Sequence, residues 1–113
     1  MMNVTKDGKV TKKILVEGEG PIPKPGQKVS CHYVGTFTDG KKFDSSRDRG
    51  KPFDFTIGQG VIQGWSLGVA TMKVGEKANF SIQNEYAYGE RGYPGVIPPR
   101  ATLNFEIELL KIY

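Results

Sequence analysis

Gly64-Trp65-Ser66-Leu67-Gly68 reads G-x-S-x-G, the pattern that surrounds the nucleophilic serine of many serine hydrolases. That chemistry needs a sharp turn from a strand into a helix, and it needs an acid and a histidine later in the chain. The only histidine, His32, comes before the serine, and 113 residues are too few for the sheet of such enzymes. We therefore do not expect Ser66 to act as a nucleophile.

Two further patterns suggest cofactor or metal chemistry, but neither has the context it requires. Gly58-x-Gly60 followed by Gly64 resembles a dinucleotide-binding loop, yet its last glycine is one residue late and no βαβ unit surrounds it. Cys31 and His32 are neighbours, so on a strand their side chains point to opposite faces. With one cysteine and one histidine, the sequence predicts neither a metal nor a cofactor.

The charged run DSSRDRGK, residues 44–51, is by default a solvated loop whose ion pairs contribute about 0 to 1 kcal/mol each. Asp44 differs from the other charges because it follows Phe43. A carboxylate beside an aromatic ring, at the edge of an apolar surface, can hold a hydrogen bond to a ligand.

Aromatic residues are the strongest chemical signal. Five separate segments contribute Tyr33, Phe43, Phe53, Trp65, Tyr88 and Phe105. An aromatic core is one interpretation, but buried tyrosine hydroxyls need hydrogen-bond partners. Tyr88 also lies in EYAYGERGYPGVIPPR, residues 85–100, whose glycines and prolines are typical of a surface turn. A partly open aromatic pocket satisfies both observations.

These rings have to be positioned by strands in which apolar and polar residues alternate. Strands are predicted over residues 12–17, 28–37, 53–57, 78–83 and 102–112, most of them antiparallel. A helix is predicted over residues 62–72, where Ile62, Trp65, Val69 and Met72 recur on one helical face. These patterns predict an α+β domain in which one antiparallel sheet wraps over one short helix.

Composition narrows the class of protein. With 37% hydrophobic and 25% charged residues the chain is one ordered domain. The lone cysteine and the charged N-terminal segment predict a reducing, cytoplasmic location without a signal peptide or membrane span. The net charge is +4, but the lysines are scattered, and we expect them, Lys12 included, on a solvated surface and not in a nucleic-acid-binding stripe.

Several segments together resemble the FKBP-type peptidyl-prolyl cis-trans isomerases, the immunophilins that bind tacrolimus and rapamycin. They are FDSSRDRGKPFDF, VIQGW, VGEKANFSI, EYAYG and GYPGVIPPRATLNFEIELLKI. The resemblance assigns residues 10–113 to an isomerase domain and implies a five-stranded antiparallel half-barrel wrapped over one short helix. Residues 1–9 would be an N-terminal extension, and residues 1–6, which match nothing, are expected to be disordered.

The resemblance also implies a role for each residue of the pocket. Trp65 would be the floor, and the walls would be Tyr33, Phe43, Phe53, Val61, Ile62 and Phe105. Asp44 and Tyr88 would be polar groups at the rim, with Arg49 supporting Asp44 and Tyr33. In the family, the backbone N–H at the position of Ile62 and the hydroxyl at that of Tyr88 bind ligand carbonyls. The catalytic set would be Tyr33, Asp44, Trp65, Tyr88 and Phe105.

The tip of the pocket would be formed by Tyr93, Val96 and Ile97, which with the remaining wall residues would contact substrate or drug. Two departures from the family pattern bear on affinity. The segment GQGVIQGW is one residue shorter than usual before the helix, which places Gly60 where many members carry a longer polar side chain. Tyr93 occupies a position often held by histidine.

The implied activity is rotation about X-Pro peptide bonds by a monomer that needs no cofactor. Its partners would be prolyl peptides, protein clients, tacrolimus and rapamycin, together with a protein partner that binds only when a drug is present. A non-catalytic module that binds proline-containing peptides would use the same aromatic residues. The third interpretation is a chaperone or receptor regulator whose isomerase activity is incidental. Turnover separates the isomerase from the non-catalytic module.

Overall fold

The computed structural model describes every residue from Met1 to Tyr113. Its strands are β1 (Met2–Asn3), β2 (Val10–Val16), β3 (Lys28–Phe37), β4 (Lys42–Ser45), β5 (Phe53–Thr56), β6 (Lys77–Ile82) and β7 (Leu103–Ile112). One α-helix, α1 (Gln63–Val69), and one short 3-10 helix (Asn84–Tyr86) complete the fold. Neither helix has the length and apolar character needed to cross a membrane.

All strand pairs are antiparallel, and the sheet runs in the order β1-β2-β6-β7-β3-β4. β3 and β7 form its longest pairing, from Val29 with Ile112 to Phe37 with Leu103. Inward residues of these strands are fully buried, among them Leu103, Ile107 and Leu109. The pattern-based prediction of an α+β domain with an antiparallel sheet and one short helix is confirmed.

The expected count of five strands is corrected to seven. β4 and β5 both pair with β3, β5 along Lys28 to Cys31 and β4 along Val34 to Thr36. Since β7 occupies the other edge of β3, these two short strands follow one another along a single edge. β1 supplies the seventh strand by pairing Met2 with Lys12.

The N-terminal segment, residues 1–9, is held against β2 and the 3-10 helix at several points. Besides the β1 pairing, the Val4 N–H donates to the Val10 carbonyl at 2.8 Å. The Tyr86 hydroxyl donates to Asp7 at 2.8 Å, and Lys9 forms an ion pair with Glu85 at 2.7 Å. The segment therefore contacts both β2 and the 3-10 helix.

The glycines of α1 allow close approach of the helix to β6. A Cβ atom on Gly64 would lie 2.5 Å from the Ile82 side chain, and one on Gly68 would lie 2.9 Å from the Phe80 ring. Glycine lowers helix propensity by about 1 kcal/mol relative to alanine, so packing holds α1 in place. This contact seats Trp65 and Val69 in the core.

Lys12 contradicts the expectation that the lysines lie on a solvated surface. It is 4% exposed and lies on the same face of β2 as the fully buried Val10. The other lysine of that strand centre, Lys13, is exposed as expected.

Arg100 is the only non-glycine residue with a positive φ, at 54°. Side chains other than those of asparagine and aspartate rarely adopt this left-handed conformation. We expect Arg100→Asn to raise the free energy of unfolding by about 0.5 to 1 kcal/mol, measured by urea denaturation. Arg91→Asn, at an exposed arginine of ordinary φ, is the matched control. Equal effects of the two substitutions would show that backbone strain at Arg100 is not the cause.

Candidate active site

A cavity of about 280 Å³ opens between β3, β4, β5, β7, the start of α1 and the segment that follows β6. Its lining residues are Tyr33, Phe43, Asp44, Phe53, Gly60, Val61, Ile62, Trp65, Tyr88 and Phe105. All the expected catalytic and wall residues are in this set. Four other expected site residues lie outside this set: Arg49, Tyr93, Val96 and Ile97. Gly60 has no side chain and therefore lines the cavity through its backbone.

Trp65 forms the base of this cavity and is 4% exposed. The edges and faces of neighbouring rings meet it nearly at right angles: Tyr33 at 4.9 Å, Phe105 at 5.5 Å and Phe53 at 5.9 Å between ring centroids. Such edge-to-face pairs add about 0.5 to 1.5 kcal/mol each beyond area burial. Phe55 packs on Trp65 from outside the cavity at 5.4 Å, a supporting role that the sequence analysis missed.

One wall depends on a glycine near the C-terminal end of β3. A Cβ atom on Gly35 would lie 2.7 Å from the Phe43 ring and 2.9 Å from the Phe105 ring. Phe43 in turn packs on Phe105 at 5.6 Å and on Phe37 at 4.8 Å. A glycine inside a strand often marks such a close approach, so Gly35 was detectable in the sequence.

Asp44 connects the polar side of the cavity. Its Oδ2 accepts a hydrogen bond from the Tyr33 hydroxyl at 2.6 Å, and its Oδ1 accepts one from Arg49 at 2.6 Å. A second N–H of Arg49 donates to the Tyr33 oxygen at 2.9 Å, which closes a triangle of three side chains. The triangle fixes the orientation of Tyr33 at the cavity wall.

Three ionisable groups of this cavity have pKa values shifted further from neutral pH than their ordinary values. Burial alone raises the pKa of Asp44, but hydrogen bonds from Tyr33 and Arg49 outweigh burial and hold it below its ordinary value. Burial, and then the bond to Asp44, raises the pKa of Tyr33. Burial, and then the charge of Asp44, raises the pKa of Tyr88. Near neutral pH the cavity therefore holds one fixed carboxylate and two neutral phenols.

Two hydrogen-bond donors at the cavity have no acceptor within the protein. The Ile62 N–H immediately precedes α1 and makes no hydrogen bond, although the Ile62 carbonyl accepts from Trp65. The hydroxyl of Tyr88, a residue that is 41% exposed, makes none either. Both donors are therefore free to bind an acceptor on a ligand.

The tip segment differs in part from its expected arrangement. Tyr93 and Val96 are 57% and 49% exposed, and the Tyr93 ring lies 6.0 Å from that of Tyr88. Ile97 was expected at the tip together with them, and its side chain is 4% exposed and packs in the core. The reason is a tight reversal, in which Tyr93 and Ile97 exchange backbone hydrogen bonds at 2.9 and 2.8 Å and turn Ile97 inward.

Comparison with known proteins agrees with this geometry. Residues 20–110 match the family described as FKBP-type peptidyl-prolyl cis-trans isomerase. The chain belongs to this family.

Relatives in this family are similar over most of their length. Peptidyl-prolyl cis-trans isomerase Fkbp12 of Drosophila melanogaster is 59% identical over 100 residues, which cover 87% of this chain and 93% of the relative. FK506-binding protein 1 of Debaryomyces hansenii is 58% identical, with 88% and 91% covered. A peptidyl-prolyl cis-trans isomerase of Schizosaccharomyces pombe is 54% identical, with 91% and 94% covered.

Membership in the FKBP-type family makes the chain an isomerase of X-Pro peptide bonds. Such bonds rotate unaided in tens to hundreds of seconds because the amide has partial double-bond character. The reaction breaks no covalent bond, so the enzyme needs neither a nucleophile nor a proton donor. This agrees with a cavity whose ionisable groups keep one charge state around neutral pH.

Proposed function

We propose that X-Pro bonds are rotated in the aromatic cavity, with the proline ring against Trp65, and that tacrolimus and rapamycin occupy and block the same cavity. The observation that carries this proposal is the cavity itself, in which rings from separate strands converge on Trp65. Its volume is about 280 Å³, a size that suits one small ring such as that of proline, together with the atoms bonded to the ring. Small-molecule sites usually have volumes of about 300 to 1,000 Å³, so this cavity lies just below that range.

Free donors at the rim support this placement. The Ile62 N–H and the Tyr88 hydroxyl have no acceptor in the protein, and a peptide or macrolide offers carbonyl oxygens. Two such bonds on either side of a proline ring would hold the X-Pro unit while the bond between them turns. The drugs would use the same two donors through their own carbonyls.

The rate enhancement follows from the physical character of the cavity. Amide resonance places negative charge on the carbonyl oxygen, and water stabilises that charge. An apolar cavity removes this water, which weakens the resonance that stiffens the C–N bond. A cavity whose shape fits the twisted bond better than the planar one lowers the barrier further.

The residue before proline would meet the tip of the cavity. Tyr93 and Val96 are exposed there, whereas Ile97 is buried. Peptides with a bulky apolar residue before proline should therefore turn over fastest.

A series of X-Pro tetrapeptides in a coupled isomerisation assay tests the proposed function. We expect leucine or phenylalanine at X to give a kcat/KM about tenfold above that for glutamate, because Tyr93 and Val96 form an apolar contact. A rate that is accelerated but independent of X would contradict the proposed role of the tip.

The pKa directions predict a pH-rate profile that is nearly flat between about pH 5.5 and 8.5. Asp44 has a lowered pKa, so it stays ionised throughout this range and loses its charge only in more acidic solution. Tyr88 has a raised pKa, so its hydroxyl remains a donor until strongly alkaline pH. A bell-shaped profile that disappears in Asp44→Asn would instead reveal proton transfer.

A further inference from the structure

A buried cation lies beside the C-terminal end of α1. The side chain of Lys12 is 4% exposed, although β2 is a strand near the edge of the sheet and its neighbour Lys13 is exposed. Lysine is almost never buried to this extent unless it is paired. The contacts of Lys12 therefore indicate what holds it there.

The ammonium group of Lys12 donates two hydrogen bonds and forms one ion pair. Its Nζ lies 2.7 Å from Oε2 of Glu76, whose side chain is 3% exposed. It also donates to the Thr71 carbonyl at 3.1 Å and to the Thr71 hydroxyl at 3.0 Å. The Thr71 hydroxyl donates in turn to the Gly68 carbonyl at 2.7 Å, within the last turn of α1. Lys12 thus ties β2 to the end of the helix through Thr71.

α1 needs such an attachment. It has seven residues, two of them glycine, with no side-chain cap, no acidic residue in its first turn and no basic residue in its last turn. A helix this short is unstable by itself. A cation from another element near its C-terminal end stabilises it, and here Lys12 reaches that end through Thr71. In the middle of the helix, the Ser66 hydroxyl accepts the Gly58 N–H at 2.8 Å.

α1 also carries the centre of the cavity. Trp65 lies on it, and Ile62, whose N–H is free, directly precedes it. Any shift of the helix would move the base of the cavity and one of its two donors together. Displacements of about 1 Å far from the chemistry can reduce turnover by up to a hundredfold.

We propose that Lys12, paired with Glu76, is a positioning residue for isomerisation, because it fixes the C-terminal end of α1 and thereby the place of Trp65. The inference rests on the proposed function of the aromatic cavity. Lys12 touches no substrate and acts only through the helix.

The double variant Lys12→Met with Glu76→Gln tests this role. Removing both charges avoids leaving one of them buried and unpaired, and methionine keeps the length and apolar stem of lysine. The new glutamine can still accept the Lys73 N–H that Glu76 accepts at 3.3 Å. We expect kcat/KM to fall about tenfold at a temperature where the variant is fully folded, with a red shift of the Trp65 emission in that folded state.

Val29→Ala is the control, since Val29 is fully buried on β3 and pairs with β5 and β7 but makes no hydrogen bond to α1. It should lower the melting temperature without changing the Trp65 emission or kcat/KM of the folded protein. Wild-type kcat/KM and emission in the double variant would overturn the inference, as would equal losses in the control. Trp65→Leu separates the failure of this inference from the failure of the proposed function. Full activity in Trp65→Leu would contradict both proposals. Normal activity in the double variant, with activity lost in Trp65→Leu, would overturn the inference about Lys12 and leave the proposed function intact.

Discussion

Trp65→Ala is expected to reduce kcat/KM for prolyl peptides by more than about a hundredfold, because it removes the base of the cavity. The loss includes the ring contacts to Tyr33, Phe53 and Phe105 at 4.9 to 5.9 Å. The same substitution should lower the free energy of unfolding by about 3 to 5 kcal/mol. Both effects can be measured on one preparation, by the coupled isomerisation assay and by urea denaturation.

A control separates lost activity from lost stability. Leu109 is fully buried on β7, four residues and about 13 Å along the strand from Phe105. Leu109→Ala should destabilise the protein by about 2 to 5 kcal/mol and leave the folded protein with nearly wild-type turnover. Comparable activity losses in the two variants, at equal folded fractions, would mean that Trp65 acts only through stability.

The second large effect is expected at the polar groups of the rim. Tyr88→Phe and Asp44→Ala should each slow turnover by about ten- to a hundredfold at most, because one positioned hydrogen bond contributes about 1 to 3 kcal/mol. Tyr88→Phe removes the free hydroxyl. Asp44→Ala removes the acceptor that orients Tyr33 and Arg49.

Matched substitutions outside the cavity serve as controls. Tyr86→Phe removes a hydroxyl that bonds Asp7, and Asp48→Ala removes a surface carboxylate paired with Lys42. Neither should change kcat/KM by more than about twofold, since exposed pairs contribute little. A thousandfold loss in either rim variant would contradict tuning by hydrogen bonds and indicate that the group takes a direct part in bond-making chemistry.

The alternation of apolar and polar residues predicted most of the strands well. Alternation located β3 at its observed bounds, and it placed β2, β5, β6 and β7 within two residues of theirs. β4 and β1 were missed for a physical reason. They have four and two residues, and their order comes from pairing with β3 and β2 and not from a pattern of their own.

The arrangement of the site residues in space was harder to predict from sequence patterns than the strands. The aromatic residues stood out by type, but their convergence on Trp65 depends on how β3, β5 and β7 pair, and the sequence supported it only through family resemblance. The burial of Ile97 could not be predicted because its inward turn depends on backbone bonds to Tyr93. Lys12 was assigned to the surface because its partner Thr71 lies 59 residues later in the chain.

A titration with rapamycin, following isomerase activity and Trp65 fluorescence in the same samples, tests the central claim most directly. The chain contains one tryptophan, so its emission reports the base of the cavity alone. If the cavity is the site of isomerisation, activity should fall to the uncatalysed rate at one drug per protein, and the change in emission should follow the same curve. Saturation of the fluorescence change with activity intact would show that X-Pro bonds are rotated elsewhere on the molecule.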